Sequence, residues 1–209
     1  MELRGHYKDY WRRMAFREEA QRYRAPCLDW YHTKRLNPAE EVVFERVKGA
    51  GRLLDFGAGD LRLKEKFLRA GFRGRYETLD LSEEFPHDYT QIGDVRGRFA
   101  AILCLEVIEH MPLASFDPTV TALCDLLEPG GMAVISTPYH GYLKNLALAL
   151  AGGMDTHFTA LWDHGHIKFW SVKTLTELFR EQGLNFGAVR RVGRLPALAK
   201  SMILTFHKS

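Results

Sequence analysis

Cysteine is scarce in this chain of 209 residues, and the three present, Cys27, Cys104 and Cys124, are an odd number. Disulfide scaffolds stabilise folds too small to build a core, a need that a chain of this length does not have. Cys104 lies in an apolar run and Cys124 on a helical pattern, so both read as reduced, buried thiols, and the expected compartment is the cytoplasm. Long apolar runs are missing as well. The longest, Leu143 to Ala151, is interrupted by Lys144 and Asn145 and falls far short of the ~20 residues that span a bilayer. Met1 to Tyr10 is charged and aromatic, without the apolar stretch of a signal peptide. Charge of one sign is nearly balanced: 29 Lys and Arg against 26 Asp and Glu leave +3, too little to argue for an avid nucleic-acid binder. No internal repeat or low-complexity segment occurs. Collagenous, disordered and disulfide-rich classes are thereby excluded. What remains is a soluble globular chain, 46% hydrophobic, read as one domain over 1–209.

The excess charge is local. Up to Leu36 there are nine Lys and Arg against five Asp and Glu. Tyr7, Tyr10, Trp11 and Met14 recur at helical spacing there, predicting a helix packed on the body with a basic face in solvent. Contact with a membrane surface or a nucleic acid is the alternative. Asn37-Pro38-Ala39-Glu40 is a helix start: Asn caps, Pro suits the first helical position, and Glu40 stands three residues past the cap. Residues 1–48 are therefore expected to form a helical cap.

Strands and helices then alternate. Leu53–Phe56 is a short strand, Leu61–Ala70 a helix, Tyr76–Leu81 a second strand and Tyr89–Val95 a weak third. Phe99–Leu105 is almost wholly apolar, as a central parallel strand covered on both faces must be. A helix over Asp117–Leu127, a strand over Met132–Ser136, a helix over Lys173–Gln182 and strands over Phe186–Val192 and Met202–His207 complete the pattern. The rhythm predicts an α/β, Rossmann-like doubly wound sheet, mostly parallel, with an antiparallel hairpin at one edge. The stretch 138–171 breaks it and is too long for a plain loop, so it reads as a lid.

Ligands of such sheets collect at the carboxyl ends of the strands. Asp55-Phe56-Gly57-Ala58-Gly59 ends the first strand, where glycine permits a tight turn and close backbone approach. Asp80, followed by Leu81, ends the second, placed to accept both hydroxyls of a ribose. Asp94 and Val95 end the third, and Asp94 is a candidate acceptor for an adenine amino group. Leu105 and Glu106 end the fourth. Together these residues make an adenosine site. A dinucleotide fingerprint places a small residue where Arg62 stands, so a ligand without phosphate fits better and a dinucleotide oxidoreductase is the lesser reading.

With these residues quoted, the chain resembles the class I S-adenosylmethionine-dependent methyltransferases. Leu53 to Gly59 is similar to that family's first motif, Asp80 to its ribose acid, Ile102 to Met111 to its fourth-strand motif, and Leu127 to Gly131 to the turn before its fifth strand. The resemblance implies S-adenosylmethionine as cofactor and a seven-stranded sheet whose last strand is antiparallel, with N-terminal helices and a lid after the fifth strand.

Methyl transfer from a sulfonium demands in-line alignment and an acceptor relieved of its proton. Turned as a helix, Glu106, Glu109 and His110 share one face and form a half-site for a divalent cation such as Mg, Mn or Zn. In the lid, His164 and His166 are candidate bases, and His166 a further metal ligand; His140 and His157 are additional acid–base candidates. Glu106-x-x-Glu109-His110 with His164-x-His166 resembles the metal-dependent small-RNA 2′-O-methyltransferases, which implies metal ligands Glu106, Glu109, His110 and His166 and methylation of an RNA 3′ end. It also resembles the ubiquinone-biosynthesis O-methyltransferases. In metal-free relatives of the same pattern, Glu106 faces the cofactor, His110 lines its methionine end and Glu109 is structural. The lid is apolar, with Leu146, Leu148, Leu150, Met154, Phe158, Leu161 and Trp162, and suits a small hydroxylated, partly hydrophobic acceptor or a bilayer surface. O-methylation of such an acceptor is the leading expectation, and a non-catalytic binding module the third.

Overall fold

The structure, a computed structural model, describes residues 35–152, 168–193 and 199–209. The amphipathic stretch Tyr7–Met14, Cys27, and the lid residues His157, His164 and His166 lie outside the described residues.

Helix α1 (Pro38–Val47) starts as its sequence dictates. The Asn37 side chain accepts from the N–H groups of Ala39 and Glu40, both at 2.9 Å, and the Glu40 carboxylate accepts from the Asn37 N–H at 2.7 Å. That satisfies three donors a helix start leaves open. Strand β1 (Arg52–Phe56), helix α2 (Arg62–Arg69), strand β2 (Arg75–Leu79) and strand β3 (Phe99–Leu105) follow. Then come α3 (Leu113–Asp125), β4 (Leu127–Pro138), α4 (Tyr142–Leu150), α5 (Val172–Glu181), β5 (Leu184–Val192) and β6 (Ser201–Lys208). The third helix begins four residues before the expected Asp117, so Pro118 falls inside it.

The sheet order is β2-β1-β3-β4-β6-β5. Strands β1 to β4 pair in parallel, and β6 runs antiparallel to both of its neighbours. Alternate residues enter opposite cores, as a period of two requires. Leu54, Ile102, Cys104 and Ile135 pack with Phe116, Val120 and Phe179 of α3 and α5. Leu53, Leu103 and Val134 pack with Val43, Phe44 and Phe67 of α1 and α2. Helices thus cover both faces. Cys104 and Cys124 are buried free thiols, and burial raises the pKa of each.

The strand count corrects the expectation of seven: the described residues form six. Tyr89–Val95 makes a single parallel bridge, Tyr89 opposite Leu79, and then winds into a 3-10 turn over Ile92–Asp94. The reason is local. The next donor a seventh strand would have paired, the Ser82 N–H, goes instead to the Asp80 carboxylate at 2.8 Å, and the chain winds into its turn three residues beyond the bridge. Among the described residues no helix is long and apolar enough to cross a membrane.

Candidate active site

The loop after β1 holds three left-handed residues in five: Gly57 (φ +78°), Gly59 (φ +59°) and Leu61 (φ +63°). The N–H groups of Gly57 and Ala58 both donate to the Leu79 carbonyl, at 2.8 and 3.2 Å, tying the loop to the end of β2. A Cβ on Gly57 would lie 2.4 Å from a methyl of Val107, so the β1 and β3 loops meet without room for a side chain. Above Gly59 the space is open, with no atom within 4 Å of where its Cβ would stand. The Asp80 carboxylate accepts from the Gly59 N–H at 2.9 Å and, through its other oxygen, from the Ser82 N–H at 2.8 Å. A carboxylate has about four lone-pair sites, so acceptor capacity remains for a ligand.

Other residues singled out in the sequence divide around this cradle. Leu81 stands 82% exposed beside Asp80, an apolar surface offered to solvent. Asp94 is exposed on the 3-10 turn, whereas the Val95 side chain is buried in the core. Asp55 lies under the loop, buried, and accepts from the Tyr76 hydroxyl at 2.7 Å. Burial pushes its carboxyl up to about 6; Tyr76 and Lys64 oppose that shift and the Asp80 charge adds to it. Asp55 therefore ties β1 to β2 two residues before the loop begins. Tyr76, its partner, drew no notice in the sequence because nothing local marks a tyrosine as reaching across two strands.

The loop after β3 departs from the expected helical turn. Glu106 has φ +55°, a conformation rare for a residue with a side chain and concentrated at functional sites. That one residue breaks the i, i+3, i+4 alignment on which the shared face of Glu106, Glu109 and His110 depended. Glu106 turns instead to β4. Its N–H donates to the Ser136 carbonyl at 3.0 Å, and the Ser136 hydroxyl donates to its Oε1 at 2.9 Å. Desolvation by the surrounding protein raises the Glu106 carboxyl above its ordinary value, against the pull of Ser136, Ser201, Lys200 and Lys144.

Glu109 goes the other way, into the core, with 0% exposure and no hydrogen-bond partner for either carboxylate oxygen. Burial raises it to about 8, with the Glu106 charge second, so it is protonated at neutral pH. The His110 Nε2 lies 3.8 Å from its Oε1. A metal ligand must be ionised and must face the ion. Among the described residues no three of His, Cys, Asp and Glu are placed to hold a metal, and the half-site expected from the sequence does not form. The fourth expected ligand, His166, lies outside the described residues.

Beyond Ser136, the ends of β4 and β6 are tied to each other and to α4. The Lys144 ammonium donates to the Tyr139 carbonyl at 3.0 Å. The Tyr139 N–H donates to the Lys200 carbonyl at 2.9 Å, and the Arg191 guanidinium stacks 4.8 Å from the centre of the Tyr139 ring. The His140 ring meets Phe169 edge-on at 4.7 Å, and Trp170 stacks on Phe116 at 5.1 Å.

Residues 10–188 match the family described as a methyltransferase domain. A ubiquinone biosynthesis O-methyltransferase from Xanthomonas axonopodis pv. citri (strain 306) is 32% identical over 123 residues, which cover 49% of this chain and 50% of that protein. One from Dinoroseobacter shibae is 30% identical over 155 residues, covering 64% of this chain and 59% of that protein. The chain thus spans about half the length of the curated relatives it matches. Among solved structures, the magnesium protoporphyrin IX methyltransferase of Synechocystis PCC 6803 with bound SAM superposes with a TM-score of 0.62 at 13% identity, over 100% of this chain and 98% of that one. The 1,6-didemethyltoxoflavin-N1-methyltransferase of Burkholderia thailandensis gives 0.60 at 19% identity, over 98% and 90%. The matched span and the topology together place this chain in the methyltransferase-domain family, among the class I S-adenosylmethionine-dependent methyltransferases.

Proposed function

We propose that this chain methylates a hydroxyl group of a small, partly hydrophobic acceptor, using S-adenosylmethionine. The observation that carries the reading is the closure of the β1 loop onto Asp80, which leaves open space above Gly59 beside an exposed Leu81. A sugar fits over the bare backbone, its hydroxyls donating to Asp80, and an adenine rests on Leu81 with Asp94 accepting from its amino group. Asp55 ties β1 to β2 through Tyr76 just before the loop. Leu105 and Glu106 close the cradle on the β3 side. The cofactor supplies an electrophilic methyl group on a sulfonium. The task left to the chain is to align the acceptor and relieve it of its proton. Among the described residues His110, half-buried beside Glu109, is the base in this reading.

Metal-assisted methylation of an RNA end is the weaker reading. It needs Glu109 to face an ion shared with Glu106 and His110, whereas Glu109 is shut in the core with 0% exposure. The names of the curated relatives favour oxygen as the methylated atom.

Calorimetry on the full chain with S-adenosylmethionine and with S-adenosylhomocysteine tests the core of this reading. Saturable binding of both at one site is expected. Absence of binding by either removes the enzyme reading altogether. With binding established, mass spectrometry of reactions with hydroxylated aromatic acceptors, run with and without chelator, is expected to give methyl ethers equally in both.

A further inference from the structure

Helix α4 turns its apolar side to solvent. At helical spacing Tyr142, Leu143, Leu146, Ala147, Ala149 and Leu150 share the outer face, and every one of them is exposed. Leu150 stands 81% exposed, Tyr142 78% and Leu143 52%. The remaining residues, Lys144, Asn145 and Leu148, are half-buried on the inner face. The two polar ones point back at the body: the Lys144 ammonium donates to the Tyr139 carbonyl at 3.0 Å, and Asn145 Nδ2 to the His140 carbonyl at 3.3 Å. A helix whose outer face meets water carries its charges on that face. This one carries none there.

The apolar surface continues beyond the helix. Phe169 is 53% exposed, and its ring meets His140 edge-on at 4.7 Å. The His140 carbonyl in turn holds Asn145, so Phe169 adjoins the start of α4. A contiguous exposed apolar patch marks a contact surface. Charge decides what it contacts. From Pro129 to Met154 the sequence contains no Asp or Glu, so the helix and its flanks carry no acid. The exposed Arg191 lies 4.8 Å from the centre of the Tyr139 ring, and the Tyr139 carbonyl binds Lys144, so a guanidinium stands at the base of the helix. Leucines bordered by a cation and free of carboxylates complement an anionic phospholipid surface, where acyl chains take the leucines and headgroups the guanidinium. Tyr142 is of the residue type that settles at headgroup level. Two copies of the face packed against each other would instead bring like cations together.

We propose that α4 lies in the surface of an anionic phospholipid bilayer, with Leu143, Leu146 and Leu150 among the acyl chains and Arg191 at the headgroups. A helix of nine residues is too short to span the bilayer and lies along its surface. Because α4 follows the carboxyl end of β4, the docked face adjoins the edge of the sheet where ligands collect. A partly hydrophobic acceptor then reaches the crevice from the bilayer without crossing water. The contact goes beyond the methyltransferase reading and does not depend on it.

The test is sedimentation of the full chain with vesicles of phosphatidylcholine, alone or with about one-quarter phosphatidylglycerol. Binding to the mixed vesicles is expected to be about fivefold tighter than to phosphatidylcholine alone. The double variant Leu143→Gln, Leu150→Gln weakens it about tenfold or more, and Leu143→Met, Leu150→Met retains it. The melting temperature of the Gln variant stays that of wild type, because both positions are exposed. No binding to either vesicle, or equal binding to both, overturns the proposal. Binding that survives the Gln substitutions overturns it too, because another surface then holds the bilayer. A wild-type dimer in sedimentation equilibrium that the Gln variant dissociates overturns it in favour of a second copy of the chain. A lower melting temperature in the Gln variant overturns it because the chain then covers the face itself.

Discussion

The Gly59 N–H and the Asp80 Oδ2 are hydrogen-bonded at 2.9 Å, joining the loop after β1 to the residue that ends β2. Asp80 thus has two jobs. It holds the loop in the shape that leaves the crevice open, and it presents lone pairs to whatever enters. A substitution there loses both at once. Asp80→Asn keeps one acceptor oxygen but turns the other position into a donor that faces the Ser82 N–H. We expect S-adenosylhomocysteine affinity to fall by ~1–3 kcal/mol in calorimetry, the range for hydrogen bonds to a charged group plus one repulsive contact. Unchanged affinity would move the adenosine site elsewhere.

The two loop glycines should separate in their response to alanine. Both hold positive φ, so both variants carry a backbone penalty of ~1 kcal/mol. At Gly57 the new methyl also strikes Val107, at 2.4 Å from Cγ2, whereas at Gly59 it projects into open space. Thermal denaturation should therefore show Gly57→Ala as clearly the less stable protein. Gly59→Ala should lose only the backbone contribution in stability and should lose cofactor affinity, because its methyl stands where the ligand would lie. Equal melting temperatures for the pair would mean that the β1 and β3 loops are not packed as described.

Glu109 gives a pH signature of known sign. Its carboxyl titrates at about 8 in the folded chain against an ordinary value of 4.5. The folded state keeps a proton that the unfolded chain has released, so the stability it contributes is full below about pH 4.5 and declines as pH rises toward 8. Glu109→Gln has no proton to lose. Urea denaturation of both proteins from acid to alkaline pH should show wild type losing a few kcal/mol (~2–4) relative to the variant across that window. Parallel curves would mean that Glu109 is solvated. Asp55 shifts in the same direction but is present in both proteins, so it cancels.

At the other end of the sheet, Arg52 clamps Glu77 with two bonds, Nε to Oε1 at 2.6 Å and a second guanidinium nitrogen to Oε2 at 2.9 Å. It also lies 4.2 Å from the centre of the Phe99 ring. Glu77 is buried, and the Arg52 guanidinium holds its carboxyl below the usual range, helped by Tyr89 and Arg75 and opposed by burial. Arg52→Ala leaves Glu77 with Arg75 and Tyr89 as its remaining partners, at a cost of about 2 kcal/mol in denaturant unfolding. Because the pair depresses the pKa of Glu77, its contribution is present above the ordinary carboxylate range and lost as pH falls through it. The deficit of the variant should therefore shrink under acid conditions, and Glu77→Gln in the same chain should recover part of it. A constant deficit at all pH values would place the effect in packing on Phe99.

Much of the fold was legible from local pattern. Asn37 and Glu40 form the capping box their spacing announces, and the apolar run Phe99–Leu105 is a central strand with the predicted ends. The glycine loop and Asp80 were legible as one site because fold rules put strand ends side by side. The third strand was misread because Tyr89–Val95 has the composition of a strand, while the Asp80 side chain takes the Ser82 N–H that would have extended the pairing. The shared face of Glu106, Glu109 and His110 was misread because helical spacing assumes a helix, and nothing in Leu105-Glu106-Val107 warns of a left-handed residue. Lys144 was visible only as an interruption in an apolar run.

Sequence by itself determined the alternation of strands and helices, where most of them start and stop, and that a glycine turn faces an acid across one strand end. Those features follow from capping, periodicity and backbone freedom, which act over a few residues. Tertiary structure alone decided that Glu106 reaches Ser136 while Glu109 is shut in the core, and that α4 exposes Leu143, Leu146 and Leu150 while its Lys144 turns back to the Tyr139 carbonyl. Which side of a turn or helix faces inward is set by the surfaces brought against it from distant parts of the chain, and burial then sets the charge state of each carboxyl.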